Sequence, residues 1–270
     1  MILSYIMLRG RSRPLVGLHE NQKMRLPFEV VSGIVLLNVS VNGKTGYMAF
    51  DTGAMQTCLN KTHFTEIEGK EVEVAKFDNE VKKASTVVTT CDIECNDWSI
   101  SEASVLLLDM GYVEKPLRGA KPDLDFLGTM GIDLIKSHTV LLDYANLQVV
   151  LDEEAPDGLE YYDMKADVLP VIDVSCDGVP YRFVLDSGAN TCLLDKTLGK
   201  EKFKVVNEAS GIVQIPSVSA LGREYKDIIA VMNNIDAIKA KIDVSGVIGY
   251  QVLKDCVSYF DFKNEKLGIR

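Results

Sequence analysis

The chain contains the same stretch twice. Residues 34–54 read IVLLNVSVNGKTGYMAFDTGA and residues 169–189 read LPVIDVSCDGVPYRFVLDSGA. At a constant offset of 135, Val39 meets Val174, Ser40 meets Ser175, Gly43 meets Gly178, Asp51 meets Asp186, Gly53 meets Gly188 and Ala54 meets Ala189. The match runs on without a gap through Leu59/Leu194, Lys61/Lys196 and Thr62/Thr197. A second block, FLGTMGIDLIKSHTVLLDYANLQVVL from 126 and VSGVIGYQVLKDCVSYFDFKNEKLGI from 244, pairs Gly128 with Gly246, Gly131 with Gly249, Lys136 with Lys254, Asp143 with Asp261 and Asn146 with Asn264. Between the blocks the offset falls from 135 to 118, so the first half is 17 residues longer. The extra length is assigned to the Gly/Pro/Asp-rich stretch 111–125, which reads as a loop. Any fold proposed for one half must therefore serve the other.

The local pattern is mostly strand. IVLLNVSVNG, GYMAF, VEVAKF, ASTVVTTC and SVLLLD in the first half, and LPVIDVSCDG, YRFVL, GIVQIP and DIIAVM in the second, are β-branched or alternating runs broken by turn residues. Asn42-Gly43 and Asp177-Gly178 are strong hairpin signals. Each half thus opens with a hairpin whose second strand delivers Asp51 or Asp186. A short helix is expected near Gly131 and near Gly249, each followed by a hairpin with Asn at its turn. The acidic DEEAPDGLE at 152–160 reads as the link between halves. The expected fold class is all-β: two tandem β-barrel lobes, 28–155 and 156–270, each with a short helix and related by a pseudo-twofold. Residues 1–27 read as an N-terminal extension, expected to be disordered.

Composition narrows the function. With 29 basic and 39 acidic residues the formal net charge is -10, so nothing draws the chain to phosphates, and a nucleic-acid partner is not expected. No apolar run reaches the length of a membrane span. MILSYIML followed by RGRSRP reverses the order of a secretory signal, so an unprocessed cytoplasmic protein is expected. The six cysteines (58, 91, 95, 176, 192 and 256) include no C-x-x-C pair and read as reduced thiols.

The chemistry lies in the repeated Asp-(Thr/Ser)-Gly-Ala. One copy is an ordinary turn, in which Asp accepts a backbone N–H. Two copies at matching positions, each at the tip of an apolar strand, call for a role, because a carboxylate there is costly unless paired. Brought together about a pseudo-twofold axis, the two carboxyls share a proton and titrate as a unit. The charged member can then take a proton from a water while the protonated member donates to a carbonyl. Thr52 and Ser187 suit holding the two loops in register, and Gly53 and Gly188 permit a close approach that a side chain would block.

These motifs, with Thr129-Met130-Gly131-Ile132-Asp133 and Val247-Ile248-Gly249-Tyr250-Gln251 downstream, resemble a tandem pair of retropepsin-like aspartic protease domains. The resemblance spans about residues 28–151 and 165–270. It implies a catalytic dyad of Asp51 and Asp186, with Thr52, Gly53, Ala54, Ser187, Gly188 and Ala189 as active-site loop support. It implies an aspartic endopeptidase with a peptide or protein substrate and no cofactor or metal, working as a monomeric pseudo-dimer. The alternatives are a non-catalytic peptide-binding module and lobes that pair between chains in a homodimer. The hairpins around Lys76–Ala84, turning near Asp78-Asn79, and Val206–Ile215, turning near Ser210-Gly211, are the candidate flaps. The second lobe departs from the first in Ser187 for Thr52 and Gln251 for Asp133.

Other candidates carry less. Cys91-Asp92-Ile93-Glu94-Cys95 has no nearby His in sequence and reads as strand packing. His19, His63 and His138 form no metal spacing, and Cys192 reads as a buried small residue. Asn38 and Asn60 fit the glycosylation pattern, but without a secretory signal the pattern carries no weight.

Overall fold

Asn42-Gly43 and Asp177-Gly178 both adopt left-handed backbone, with φ of 48° and 81° in the first pair and 48° and 82° in the second, as a two-residue hairpin turn between twisted strands demands. The computed structural model describes residues 6–7, 23–78 and 80–270. The first half carries β1 (Ile6–Met7), β2 (Met24–Val31), β3 (Ile34–Val41), β4 (Lys44–Phe50), β5 (Cys58–Asn60), β6 (Lys70–Asp78), β7 (Glu80–Cys95), β8 (Trp98–Leu108), α1 (Gly111–Ala120), β9 (Phe126–Met130), α2 (Ile132–Ile135), β10 (Thr139–Asp143) and β11 (Gln148–Leu151). The second carries β12 (Glu160–Asp163), β13 (Val171–Cys176), β14 (Val179–Leu185), β15 (Cys192–Asp195), β16 (Lys204–Asn207), β17 (Ile212–Ala220), β18 (Arg223–Asn233), α3 (Asp236–Lys239), β19 (Gly246–Ile248), α4 (Tyr250–Leu253), β20 (Val257–Asp261) and β21 (Lys266–Ile269). The protein is mostly β.

Each half closes a ring of six strands. In the first, β3, β4, β9, β5, β8 and β7 follow one another and β7 returns to β3. In the second, β13, β14, β19, β15, β18 and β17 do the same, and β17 returns to β13. Both rings have parallel neighbours at the same two places: β4 with β9 and β5 with β8 in one, β14 with β19 and β15 with β18 in the other. Closure leaves the ring strands without a free edge. Side chains alternate across each strand, so Val35, Leu37, Val39 and Val41 of β3, and Ile172, Val174 and Cys176 of β13, enter one continuous apolar core.

A further antiparallel sheet joins the halves, in the order β2, β11, β10, β20, β21, β12. Its central pair sets Leu141 opposite Tyr259, Thr139 opposite Asp261 and Asp143 opposite Val257. Leu141 and Tyr259 are equivalent at the 118 offset, as are Thr139/Val257 and Asp143/Asp261, so the register maps onto itself when the halves are exchanged. The pseudo-twofold axis runs through the Leu141–Tyr259 pair. The turns closing β10–β11 and β20–β21 are copies too: Asp143 accepts from the Asn146 N–H and side-chain amide at 3.1 and 2.7 Å, and Asp261 accepts from Asn264 at 3.0 and 2.7 Å.

Two expectations are corrected. The first half begins at Met24 rather than 28, because Leu26 is fully buried and Met24–Pro27 pair with β11. Most of the remaining extension and Asn79, at the tip of one candidate flap, lie outside the described residues. The 111–125 stretch is not all loop: Gly111–Ala120 is helical, because Val113 and Leu117, four apart, cover an apolar face formed by Leu36, Ala49, Leu106 and Phe126. Pro116 removes one helical hydrogen bond, but it lies on the exposed side of the helix. Among the described residues no helix is long and apolar enough to cross a membrane.

Candidate active site

β4 and β14 bring the paired motifs to the axis. Their last three residues, Met48-Ala49-Phe50 and Phe183-Val184-Leu185, are buried and lie parallel to β9 and β19. Each alignment extends one hydrogen bond into the motif: Asp51 N–H donates to Met130 O at 3.0 Å and Asp186 N–H to Ile248 O at 2.9 Å. The chain then turns on its own aspartate, with the Gly53 N–H donating to Asp51 Oδ1 at 2.9 Å and the Gly188 N–H to Asp186 Oδ1 at 2.7 Å. Ala54 and Ala189 fix the far end of each loop. Their carbonyls accept the Ile132 N–H at 2.7 Å and the Tyr250 N–H at 2.9 Å, tying the loops to the first residues of α2 and α4.

The two loops are locked to each other by four buried hydrogen bonds. Thr52 Oγ1 donates to Leu185 O at 2.8 Å and accepts the Ser187 N–H at 3.0 Å. Ser187 Oγ donates to Phe50 O at 2.7 Å and accepts the Thr52 N–H at 3.0 Å. Replacing Thr by Ser changes nothing here, because the hydroxyl alone makes these contacts. The lock forms within one chain.

Asp51 and Asp186 meet across this lock. A Cβ built on Gly53 would collide with the Asp186 carboxyl, and one on Gly188 with that of Asp51, so each carboxyl occupies the space that glycine in the opposite loop leaves free. They are 0% and 2% exposed. Burial, with the Asp186 charge second, holds Asp51 well above the usual carboxylate range; burial likewise raises Asp186. Asp51 Oδ2 has no partner other than the facing carboxyl. One shared proton satisfies it, and this arrangement can both accept and donate a proton at one point.

Some supporting residues were not singled out by sequence. Thr57 Oγ1 accepts the Gly131 N–H at 3.1 Å and donates to Asp133 Oδ1 at 2.8 Å, and burial raises the Asp133 carboxyl. At the equivalent place in the second lobe Gln251 accepts the Cys192 N–H at 3.3 Å and donates to Ile229 O at 3.2 Å. The Asp133/Gln251 difference is thus a change of brace behind the loop. Asn60 and Asp195, equivalent at offset 135, end buried strands and cap the turns that follow, accepting from the Thr62 N–H at 3.4 Å and the Thr197 N–H at 2.9 Å. Asn60 also anchors α1 by donating to Glu114 Oε2 at 2.8 Å, whereas Asp195 anchors α3 through an ion pair with Lys239. A polar residue ending an apolar run at the same repeat position in both halves was the signal available.

The remaining candidates fall outside the site. Cys91 and Cys95 lie in β7, and burial pushes both thiols up to about 12. Burial also raises the Cys192 thiol, away from nucleophilic character. The β16–β17 hairpin turns through Ser210-Gly211, with the Gly211 N–H donating to Glu208 O at 3.2 Å. Comparison with protein-family models and with curated proteins returns no match.

Proposed function

We propose that the chain is an aspartic endopeptidase built from two retropepsin-like lobes, with Asp51 and Asp186 as its dyad. The observation that carries this reading is the placement of two buried carboxyls against each other across a pseudo-twofold axis, each seated over the other loop's glycine. In the reaction the ionised carboxylate takes a proton from a water, and the hydroxide adds to the peptide carbonyl carbon. The protonated carboxyl meanwhile donates to the carbonyl oxygen. Return of a proton to the amide nitrogen breaks the C–N bond and leaves a carboxylic acid and an amine. The four hydrogen bonds of Thr52 and Ser187 keep the carboxyls from drifting apart as charge moves between them. The β6–β7 hairpin, longer than β16–β17, serves as the main flap over an extended substrate strand.

The near-complete seclusion of both carboxyls favours one second reading, a peptide-binding module that keeps the fold without turnover. Cleavage of a diverse peptide mixture from acid to neutral pH decides between them. The endopeptidase reading expects a bell-shaped pH profile, with the rate reduced about 10² to 10⁴-fold in both Asp51→Asn and Asp186→Asn. Absence of cleavage at every pH, or cleavage that survives both substitutions, overturns it.

A further inference from the structure

His63, Glu114 and Asp125 are far apart in sequence and have no metal-binding spacing, yet the fold brings them together. His63 closes the turn after β5, Glu114 comes from α1, and Asp125 precedes β9. One ligand atom from each lies within 4.8 Å of the other two. We propose that these three residues form a site for a divalent transition-metal ion, with zinc the best match to the donors, on the outer side of the first lobe. The inference is independent of peptidase activity.

The donor set is the first argument. One imidazole nitrogen and two carboxylate oxygens suit Zn²⁺ and its neighbours. With a neutral imidazole, the two carboxylates cancel the charge of a divalent ion. His63 Nε2 and Glu114 Oε1 stand 2.9 Å apart, close to the edge of about 3.3 Å expected between ligands bound at about 2.0 to 2.1 Å. The ion would replace the proton that now bridges them. Asp125 is exposed, and its carboxylate makes no hydrogen bond or ion pair among the described residues, so rotation of its side chain completes the set. Water would fill the fourth position.

The surroundings are the second argument. Asn60 holds Glu114 Oε2 at 2.8 Å and leaves Oε1 for the ion; an outer contact of this kind orients a metal ligand. Arg118, 3.9 Å from Glu114 Oε1, is half exposed and holds Pro122 O through its Nε, so it can leave the carboxylate without losing that contact. The second lobe has no such site. Leu198 stands where His63 would be, and Asp243, the equivalent of Asp125, is taken up by Arg182. The ion would therefore pin α1, the longer counterpart of α3, to its barrel.

The test uses the full chain, stripped with chelator and titrated with zinc sulfate alone, followed by calorimetry and thermal unfolding. The expected result is one ion per chain and a rise in Tm. His63→Gln and Asp125→Asn should each weaken binding about tenfold or more. Asp125→Asn alters an exposed, unpartnered side chain, so it carries the test even if His63→Gln folds poorly. Co²⁺ in place of zinc should give visible absorption that both variants lose. Absence of saturable binding overturns the proposal, and so does binding that neither substitution weakens.

Discussion

The two lobes agree to within a hydrogen bond at the axis and diverge with distance from it. Each carries the same six-stranded ring, the same aspartate-centred turn and its half of the reciprocal Thr52–Ser187 lock. Away from the axis, β6 and β7 run 9 and 16 residues against 4 and 9 for β16 and β17, and α1 has 10 residues against 4 for α3. The helix anchor even changes its chemistry, from an amide–carboxylate hydrogen bond to an ion pair. The difference shows which parts of the duplicated unit are constrained by the partner half. A residue that touches its own symmetry mate must keep the group that makes the contact, as Thr52 and Ser187 keep the hydroxyl, whereas one on the periphery answers only to its own barrel.

That contrast can be broken most directly at the loop glycines. Gly53→Ala and Gly188→Ala each force a methyl group into the facing carboxyl, and each should cost about 3 kcal/mol in urea unfolding, equally in the two lobes. A loss in only one would show that the halves are not equivalent where they meet. Next come the hydroxyls: Thr52→Val and Ser187→Ala each strand buried backbone groups and should cost about 2 kcal/mol. The two hydroxyls share no hydrogen bond, so any departure of the double variant from the sum measures coupling between the two loops.

A smaller effect, of opposite sign, is expected from the dyad itself. Burial raises both carboxyls above their unfolded values. At the dyad the folded state therefore holds more protons than the unfolded one above about pH 4. That stabilisation is complete below the unfolded pKa and is lost as pH rises through the folded one. Asp51→Asn should thus be more stable than the natural chain at pH 7, with the advantage shrinking toward pH 4; denaturant midpoints across this range measure it. The smallest effect belongs to the periphery. Arg182, where the first lobe has Tyr47, pairs with Asp243 at the surface, and Arg182→Ala should cost no more than about 0.5 kcal/mol.

The same gradient governed what could be read in the sequence. The motifs, the opening hairpins with Asn42-Gly43 and Asp177-Gly178, the helices after Gly131 and Gly249 and the closing Asn turns were readable, because repetition singled them out and each follows from local turn chemistry. α1 was not, because Gly111, Pro116 and Gly119 suggested a loop, while Val113 and Leu117 form a helix only against a barrel that sequence does not display. Met24–Pro27 were missed because β2 gains its partner from β11, more than a hundred residues away. The His63, Glu114 and Asp125 cluster was invisible for the same reason: its members share no spacing and meet only once three separate elements have packed.

The self-matching register of β10 against β20 has a consequence for assembly. A half-length chain ending after β11 would leave β10 as an open edge, and the only strand of matching register would belong to a second copy of itself. Its folding would then depend on concentration. Joining the halves through residues 152–159 turns that encounter into a unimolecular event at an effective concentration on the order of millimolar, so the full chain should form its central site equally well at any dilution.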